Sequence, residues 1–140
     1  MERTQYNASC LCGKVSLKVK PKSNHFMACH CHTCQKWTGG PQLAIPCGTE
    51  VEFEGQEYIT EFASSGWATR GFCTQCGSHL FYKLNHNGEY NILVGLLDID
   101  KQAQLELAIQ YFIDLKPTFY SLDADCQTMT EAEVIKAFTS

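Results

Sequence analysis

The chain has 140 residues, 44% of them hydrophobic and 19% charged, so it is long enough to bury a core and too apolar for a disordered tail. Its 15 acidic against 11 basic side chains leave a formal net charge of −4 with no dense Lys/Arg run, which argues against DNA or RNA as a partner. No run approaches the roughly 20 apolar residues of a membrane helix, and the start, Met1 to Asn7, lacks the apolar stretch of a secretory signal, so the sequence predicts a cytoplasmic protein with reduced cysteines and no membrane partner.

In chain order, Lys14 to Lys20 alternates polar and apolar residues, the period of a half-buried strand with Val15, Leu17 and Val19 facing inward. A short helix is expected after Cys34, stopped by Gly39-Gly40-Pro41. Strands are predicted near Gln42 to Ile45, Val51 to Glu54, Glu57 to Phe62 and His79 to Leu84. Asn87-Gly88, between His79 to Leu84 and the apolar run Tyr90 to Leu97, reads as a type I′ hairpin turn, which needs two residues tolerant of positive φ. Lys101 to Ala108 is compatible with a helical turn, and Ile109 to Ile113 with a further strand. Near the end, Thr130 and Glu133 form a capping-box pattern leading into Val134, Ile135, Ala137 and Phe138. The expected fold is mainly β with a short C-terminal helix. No repeat or Gly/Ser/Pro-rich linker divides the chain, so residues 1–140 are expected to form a single domain.

Nine cysteines are the anomaly, and an odd number cannot all be paired in disulfides. Seven of them cluster: Cys10 and Cys12, then Cys29, Cys31 and Cys34, then Cys73 and Cys76. CxC and CxxC spacing in a reducing compartment points to metal, with zinc the first choice for thiolates. Seven ligands divide naturally into four and three, since structural zinc takes four protein ligands while catalytic zinc keeps a position open. Cys10 and Cys12 with Cys73 and Cys76 form the expected structural set; the competing reading is reduced thiols that merely pack. Cys29, Cys31 and Cys34 form the expected catalytic set; the competing reading is a second closed site completed by a histidine or a lone cysteine.

Three thiolates leave a divalent zinc with a formal charge of −1 and donate strongly to it. Such a centre acidifies water poorly and suits a soft fourth ligand, so a small-molecule thiol is the expected partner. His30 and His32 alternate with the cysteines and are expected to point away from the metal, and His25, His79 and His86 have no paired ligand spacing. Cys47 and Cys126 read as ordinary thiols. Trp37 and Trp67 are candidates to cover a ligand and Arg70 or Lys36 to meet a carboxylate, against the simpler expectation that the tryptophans pack and the cations are solvated.

Ser9-Cys10-Leu11-Cys12-Gly13, Cys29-His30-Cys31-His32-Thr33-Cys34, Thr38-Gly39, Gly71-Phe72-Cys73-Thr74-Gln75-Cys76-Gly77-Ser78 and Val94-Gly95-Leu96-Leu97-Asp98, in this order, resemble the glutathione-dependent formaldehyde-activating enzyme family, whose domain also occurs in centromere protein V. The likeness runs from about Ser9 to Tyr120. It implies an Mss4-like fold of twisted antiparallel sheets around zinc, with two zinc ions per chain. It also implies structural zinc on Cys10, Cys12, Cys73 and Cys76 and catalytic zinc on Cys29, Cys31 and Cys34. The implied activity is of the carbon-sulfur lyase type, joining glutathione as co-substrate to formaldehyde as S-hydroxymethylglutathione; the alternative is a non-catalytic zinc-binding module that engages a protein partner. His32 stands where such sequences frequently carry serine, and Gln35-Lys36 where arginine often follows the third cysteine.

Overall fold

The computed structural model describes residues 3–122 and 125–139. Among them the chain runs through strands β1 (Tyr6–Ser9), β2 (Ser16–Val19) and β3 (His25–Cys29), then helix α1 (His32–Thr38). Strands β4 (Gln42–Gly48), β5 (Glu52–Glu54), β6 (Ile59–Ala63), β7 (Ala68–Cys73), β8 (His79–Leu84) and β9 (Tyr90–Leu93) follow. Helix α2 (Ile99–Gln102), strands β10 (Glu106–Tyr111) and β11 (Gln127–Met129) and helix α3 (Glu131–Thr139) complete it. The residues sort into two compact units, one holding the chain up to Asn24 with Ala44–Leu105, the other His25–Leu43 with the described residues from Glu106 onward.

In the first unit β1, β2 and β5 form one antiparallel sheet, and β4, β9, β8, β7 and β6 pair antiparallel in that spatial order. The alternation at Lys14 to Lys20 does what it predicts: Val15, Leu17 and Val19 are buried and Lys18 is exposed. His79 to Leu84 is β8 as expected, whereas the predicted strand at Glu57 opens as a 3-10 turn over Gln56–Tyr58. Gly55, at φ 84°, bends the chain there, and the Tyr58 N–H donates to the Gly55 carbonyl at 2.9 Å. The Asn87-Gly88 hairpin joins β8 to β9, but not by a type I′ turn. Gly88 has φ 75° while Asn87 stays at negative φ, and the Asn87 Oδ1 accepts from the Glu89 N–H at 3.0 Å. The asparagine thus acts through its side chain, and the turn widens to a five-residue loop, 85–89, between the strand ends. The apolar run to Leu97 leaves the sheet after Leu93 in a 3-10 turn, Val94–Leu96.

In the second unit β10 lies between β3 and β11 and runs parallel to both. The expectation of antiparallel sheets therefore holds in the first unit and not here. Parallel neighbours need long crossovers, and β3 and β10 are far apart in sequence, a pairing that no local pattern announces. The helical turn foreseen around Lys101 is the short α2, and β10 starts earlier than the apolar run alone suggests. Helix α3 begins with the foreseen capping box: the Glu133 N–H donates to Thr130 Oγ1 at 3.2 Å, and the Thr130 N–H to Glu133 Oε1 at 2.9 Å. Val134 is the face it buries, and the Phe138 ring meets Tyr111 edge-on at 5.9 Å.

The first unit's apolar interior includes Phe81, which packs edge-on against Tyr90 at 5.0 Å and Phe53 at 5.8 Å. Gly71 leaves room for it: a Cβ there would fall 2.3 Å from the Phe81 ring. Gly71→Ala should therefore destabilise the fold by about 1–3 kcal/mol through overpacking, read as a lower urea midpoint; an unchanged midpoint would mean the ring shifts freely. The Glu133 carboxyl is held below its usual range by the Thr130 backbone and hydroxyl. Its capping contribution is complete above the ordinary carboxylate range and is lost as pH falls through the lowered folded value. Acid fraying of α3, followed by helical circular dichroism, should be weaker in Glu133→Gln than in the parent.

Candidate metal centres

Two short loops in the first unit are built alike. In the first, Cys10 follows the last residue of β1, its N–H donates to the Val15 carbonyl at 3.0 Å, and Gly13, at φ 80°, donates back to the Cys10 carbonyl at 3.1 Å. In the second, the Cys73 N–H donates to the Ser78 carbonyl at 2.9 Å, and Gly77, at φ 76°, donates to the Cys73 carbonyl at 2.8 Å. A left-handed glycine in each loop folds the chain tightly enough to turn both of its thiols to one point. The loops are tied together by the Leu11 N–H donating to Ser78 Oγ at 3.0 Å.

The sulfurs of Cys10, Cys12, Cys73 and Cys76 all lie within 4.8 Å of one another, with Cys10–Cys12 at 3.6 Å and Cys12–Cys73 at 3.8 Å. A tetrahedral zinc with Zn–S bonds of about 2.3 Å requires sulfur–sulfur edges of about 3.8 Å. The four thiols fit that geometry, and none of the nine cysteines is in a disulfide. Their proton affinities are split by local contacts. The Ser78 hydroxyl, then its N–H, bring Cys76 down to about 5. Burial works against ionising Cys10, yet the Val15 N–H and the Cys12 and Cys73 thiols hold it below the usual thiol range. At Cys12 the Lys14 N–H favours the thiolate, but burial and the neighbouring thiols prevail and push it up to about 11.

The second unit brings Cys29, Cys31 and Cys34 together, again with all sulfurs within 4.8 Å of one another. Cys29 ends β3, whose register sets it opposite Tyr111 of β10. Cys31 is the N-cap of α1: its backbone is extended, at φ −62° and ψ 156°, and its Sγ accepts from the Cys34 N–H at 3.3 Å. Sulfur here takes the place usually held by a Ser or Asp oxygen. The helix starts before Cys34, earlier than expected, and ends as foreseen at Gly39, in the left-handed conformation. Cys34 is buried, while Cys29 and Cys31 are partly exposed. Hydrogen bonding to Cys31 and then Cys34, with burial, pushes the Cys29 thiol strongly upward.

His30 points away from the thiols, as its alternation with them foretold, and is fully buried. Its Nε2 faces Gln110 Oε1 at 2.8 Å and its Nδ1 faces the Tyr120 hydroxyl at 2.9 Å. The amide oxygen only accepts, so Nε2 carries the proton and Nδ1 accepts from Tyr120, the neutral tautomer that burial also favours. Gln35 Nε2 donates to the His30 carbonyl at 2.6 Å and to the Leu115 carbonyl at 3.0 Å. His32 is exposed. Gln110 and Tyr120 gave no sequence signal, lying 80 and 90 residues from their partner.

Other candidates are placed differently. Arg70 is buried, against the expectation of a solvated cation, with its Nε donating to Ser64 Oγ at 3.0 Å and its guanidinium 5.1 Å from the Tyr82 ring centre. Lys36 and Trp67 are exposed and Trp37 is partly buried. Cys47 is buried and burial pushes its thiol up to about 12, in keeping with an inert thiol; Cys126 accepts from Gln110 Nε2 at 3.4 Å.

The sequence model of the family described as glutathione-dependent formaldehyde-activating enzyme matches residues 5–114. The chain belongs to this family. Within the formaldehyde-activating family's Mss4-like fold, the two cysteine clusters are its candidate metal sites. A Schizosaccharomyces pombe protein described as an uncharacterized lyase is 29% identical over 133 residues, 95% of this chain and 96% of its own. A crystal structure of a Rhodobacter sphaeroides protein shares the fold, with a TM-score of 0.56 at 21% identity, covering 71% of this chain and 96% of that one. Family and clusters together support a metal-binding protein of the lyase type. No helix among the described residues is long and apolar enough to cross a membrane.

A thiol with a raised proton affinity surrenders its metal at higher pH. In protein loaded with cobalt, acid should therefore release metal from the set containing Cys29 before the set anchored by Cys76 and Cys10. Thiolate-to-cobalt absorption followed during acidification, in the parent and in Cys31→Ser, would show the order; simultaneous or reversed release would count against it.

Proposed function

We propose that this protein is a cytoplasmic zinc-dependent lyase of the carbon-sulfur type that acts on the adduct of a small thiol with an aldehyde, glutathione and formaldehyde being the default pair. The observation that carries this reading is the set Cys29, Cys31 and Cys34, which offers three convergent thiols and, among the described residues, no fourth protein ligand within the cluster. It occurs in a chain whose family description names glutathione and formaldehyde. The four-cysteine set is assigned the structural zinc, and residues 1–140 act as one domain.

Zinc, when bound, supplies a soft cation that favours the thiolate form of a coordinated thiol. Cys29, at the end of β3, and Cys31 and Cys34, at the start of α1, would hold it, leaving a fourth position for the substrate thiol. The buried Cys34 closes the inner face, and the partly exposed Cys29 and Cys31 leave approach from outside. In the addition, the thiol sulfur bonds to the aldehyde carbon as the C=O π bond opens. The proton lost by the thiol ends on the new hydroxyl, and nothing leaves; the reverse reaction breaks the same C–S bond. Holding thiol and aldehyde together converts an encounter into a positioned step, which is where a rate gain is available without a dedicated acid or base.

Protein purified without chelators or a histidine tag should carry two zinc ions per chain by elemental mass spectrometry. Glutathione should then slow alkylation of Cys29, Cys31 and Cys34 while leaving the four-cysteine set unchanged. Full occupancy with no response to a small thiol, and no C–S product with formaldehyde, would favour a closed, non-catalytic zinc module instead. Cys73→Ala should cost folding outright, because structural metal binding is folding free energy, whereas Cys31→Ala should retain the fold and lose thiol protection.

A further inference from the structure

Resting on the metal reading of Cys29, Cys31 and Cys34, we infer that His30 is a positioning residue for that set, held in place by Tyr120 and Gln110. It lies between two of the three thiols in an extended stretch, where neighbouring side chains point to opposite faces. Whatever fixes the imidazole on the inner face therefore fixes the direction of Cys29 and Cys31 on the outer one. Every polar group of His30 is engaged: its N–H donates to the Tyr111 carbonyl at 3.0 Å and its carbonyl accepts from Gln35 Nε2 at 2.6 Å. Its two ring nitrogens meet Gln110 Oε1 at 2.8 Å and the Tyr120 hydroxyl at 2.9 Å.

The partners are themselves anchored. Gln110 sits in β10, in register with Ala28 one residue before Cys29. Tyr120 is held through its backbone carbonyl, which accepts from Lys116 Nζ, and the Lys116 ammonium also lies 5.0 Å from its ring centre. The segment leading to it leaves β10 at Phe112, whose φ of 58° is unusual for a bulky residue. That turn carries the Leu115 carbonyl to Gln35 at 3.0 Å, so the residue following Cys34 is tied to the same segment that presents Tyr120. An apolar side chain at position 30 would fill the volume but strand the Gln110 amide oxygen and remove the angular constraint. A histidine with both nitrogens engaged admits one ring orientation.

The test is cobalt binding to the whole chain in competition with a graded chelator, with unfolding temperature measured alongside. The parent should bind two equivalents. Tyr120→Phe, which removes only a hydroxyl, and His30→Leu should each weaken the Cys29–Cys31–Cys34 site by about 10-fold or more, the usual scale for losing a partner behind a metal ligand. Their cobalt absorption bands at that site should broaden, with the four-cysteine site unchanged. His30→Gln, which keeps a donor for Gln110, should recover part of the affinity. Parent-like affinity and bands in both Tyr120→Phe and His30→Leu would overturn the inference, leaving His30 as core packing. Equal weakening of both sites in step with a lower unfolding temperature would overturn it too. A parent that binds a single equivalent, with Cys29, Cys31 and Cys34 open to alkylation, would overturn the metal reading itself, a result visible before any variant is made.

Discussion

Crowding of sulfur is the constraint on which the rest depends. Four thiols within 4.8 Å of one another, and three more in a second set, cannot all ionise unless a cation shares the space. Their split proton affinities record that conflict. Cys76 is drawn down by Ser78 while Cys12 beside it is driven up, and Cys29 is driven up by its own two neighbours. The backbone accepts the crowding because two left-handed glycines and one helix start turn the thiols inward without demanding strain from any cysteine.

The two sets are unlike in what they leave for chemistry. Four thiolates would complete a tetrahedron on a zinc ion and give a site of formal charge −2 with no position left for a further ligand. Three leave one direction open and a charge of −1, which accepts a further soft donor more readily than it sharpens water into a nucleophile. The difference comes from chain geometry: two separate loops bring two thiols each to the first set, whereas one short stretch brings all three of the second.

Local patterns in the sequence were enough to read the β2 alternation, the capping box of α3, the Gly39 stop and the grouping of seven cysteines. Each depends on residues within a turn or two of one another. Some local expectations still failed, among them the Asn87-Gly88 turn and the strand start at Glu57. Asn87 uses its amide oxygen and so does not need positive φ, and Gly55 draws the start of the expected strand at Glu57 into a 3-10 turn. The parallel pairing of β10 with β3 and the engagement of His30 by Gln110 and Tyr120 were not legible, because the partners lie some 80 to 90 residues apart and none carries a motif of its own. Arg70 differs: its partners Ser64 and Tyr82 are near in sequence, but it lies in β7, whose Ala68–Cys73 stretch shows no alternation to announce a strand.

Cys31 serves two masters with one sulfur, as the cap of α1 and as a member of the thiol set. The two duties have different chemical requirements. Capping needs only an acceptor on a short side chain, which a serine supplies equally well, while gripping a soft cation needs the thiolate. A chain carrying serine there would keep its helix start and lose one thiol of the set, so the thiol set can be dismantled with its scaffold intact. Among relatives of equal architecture, the atom at this one position then says whether the three-thiol set is intact, which the degree of overall likeness does not.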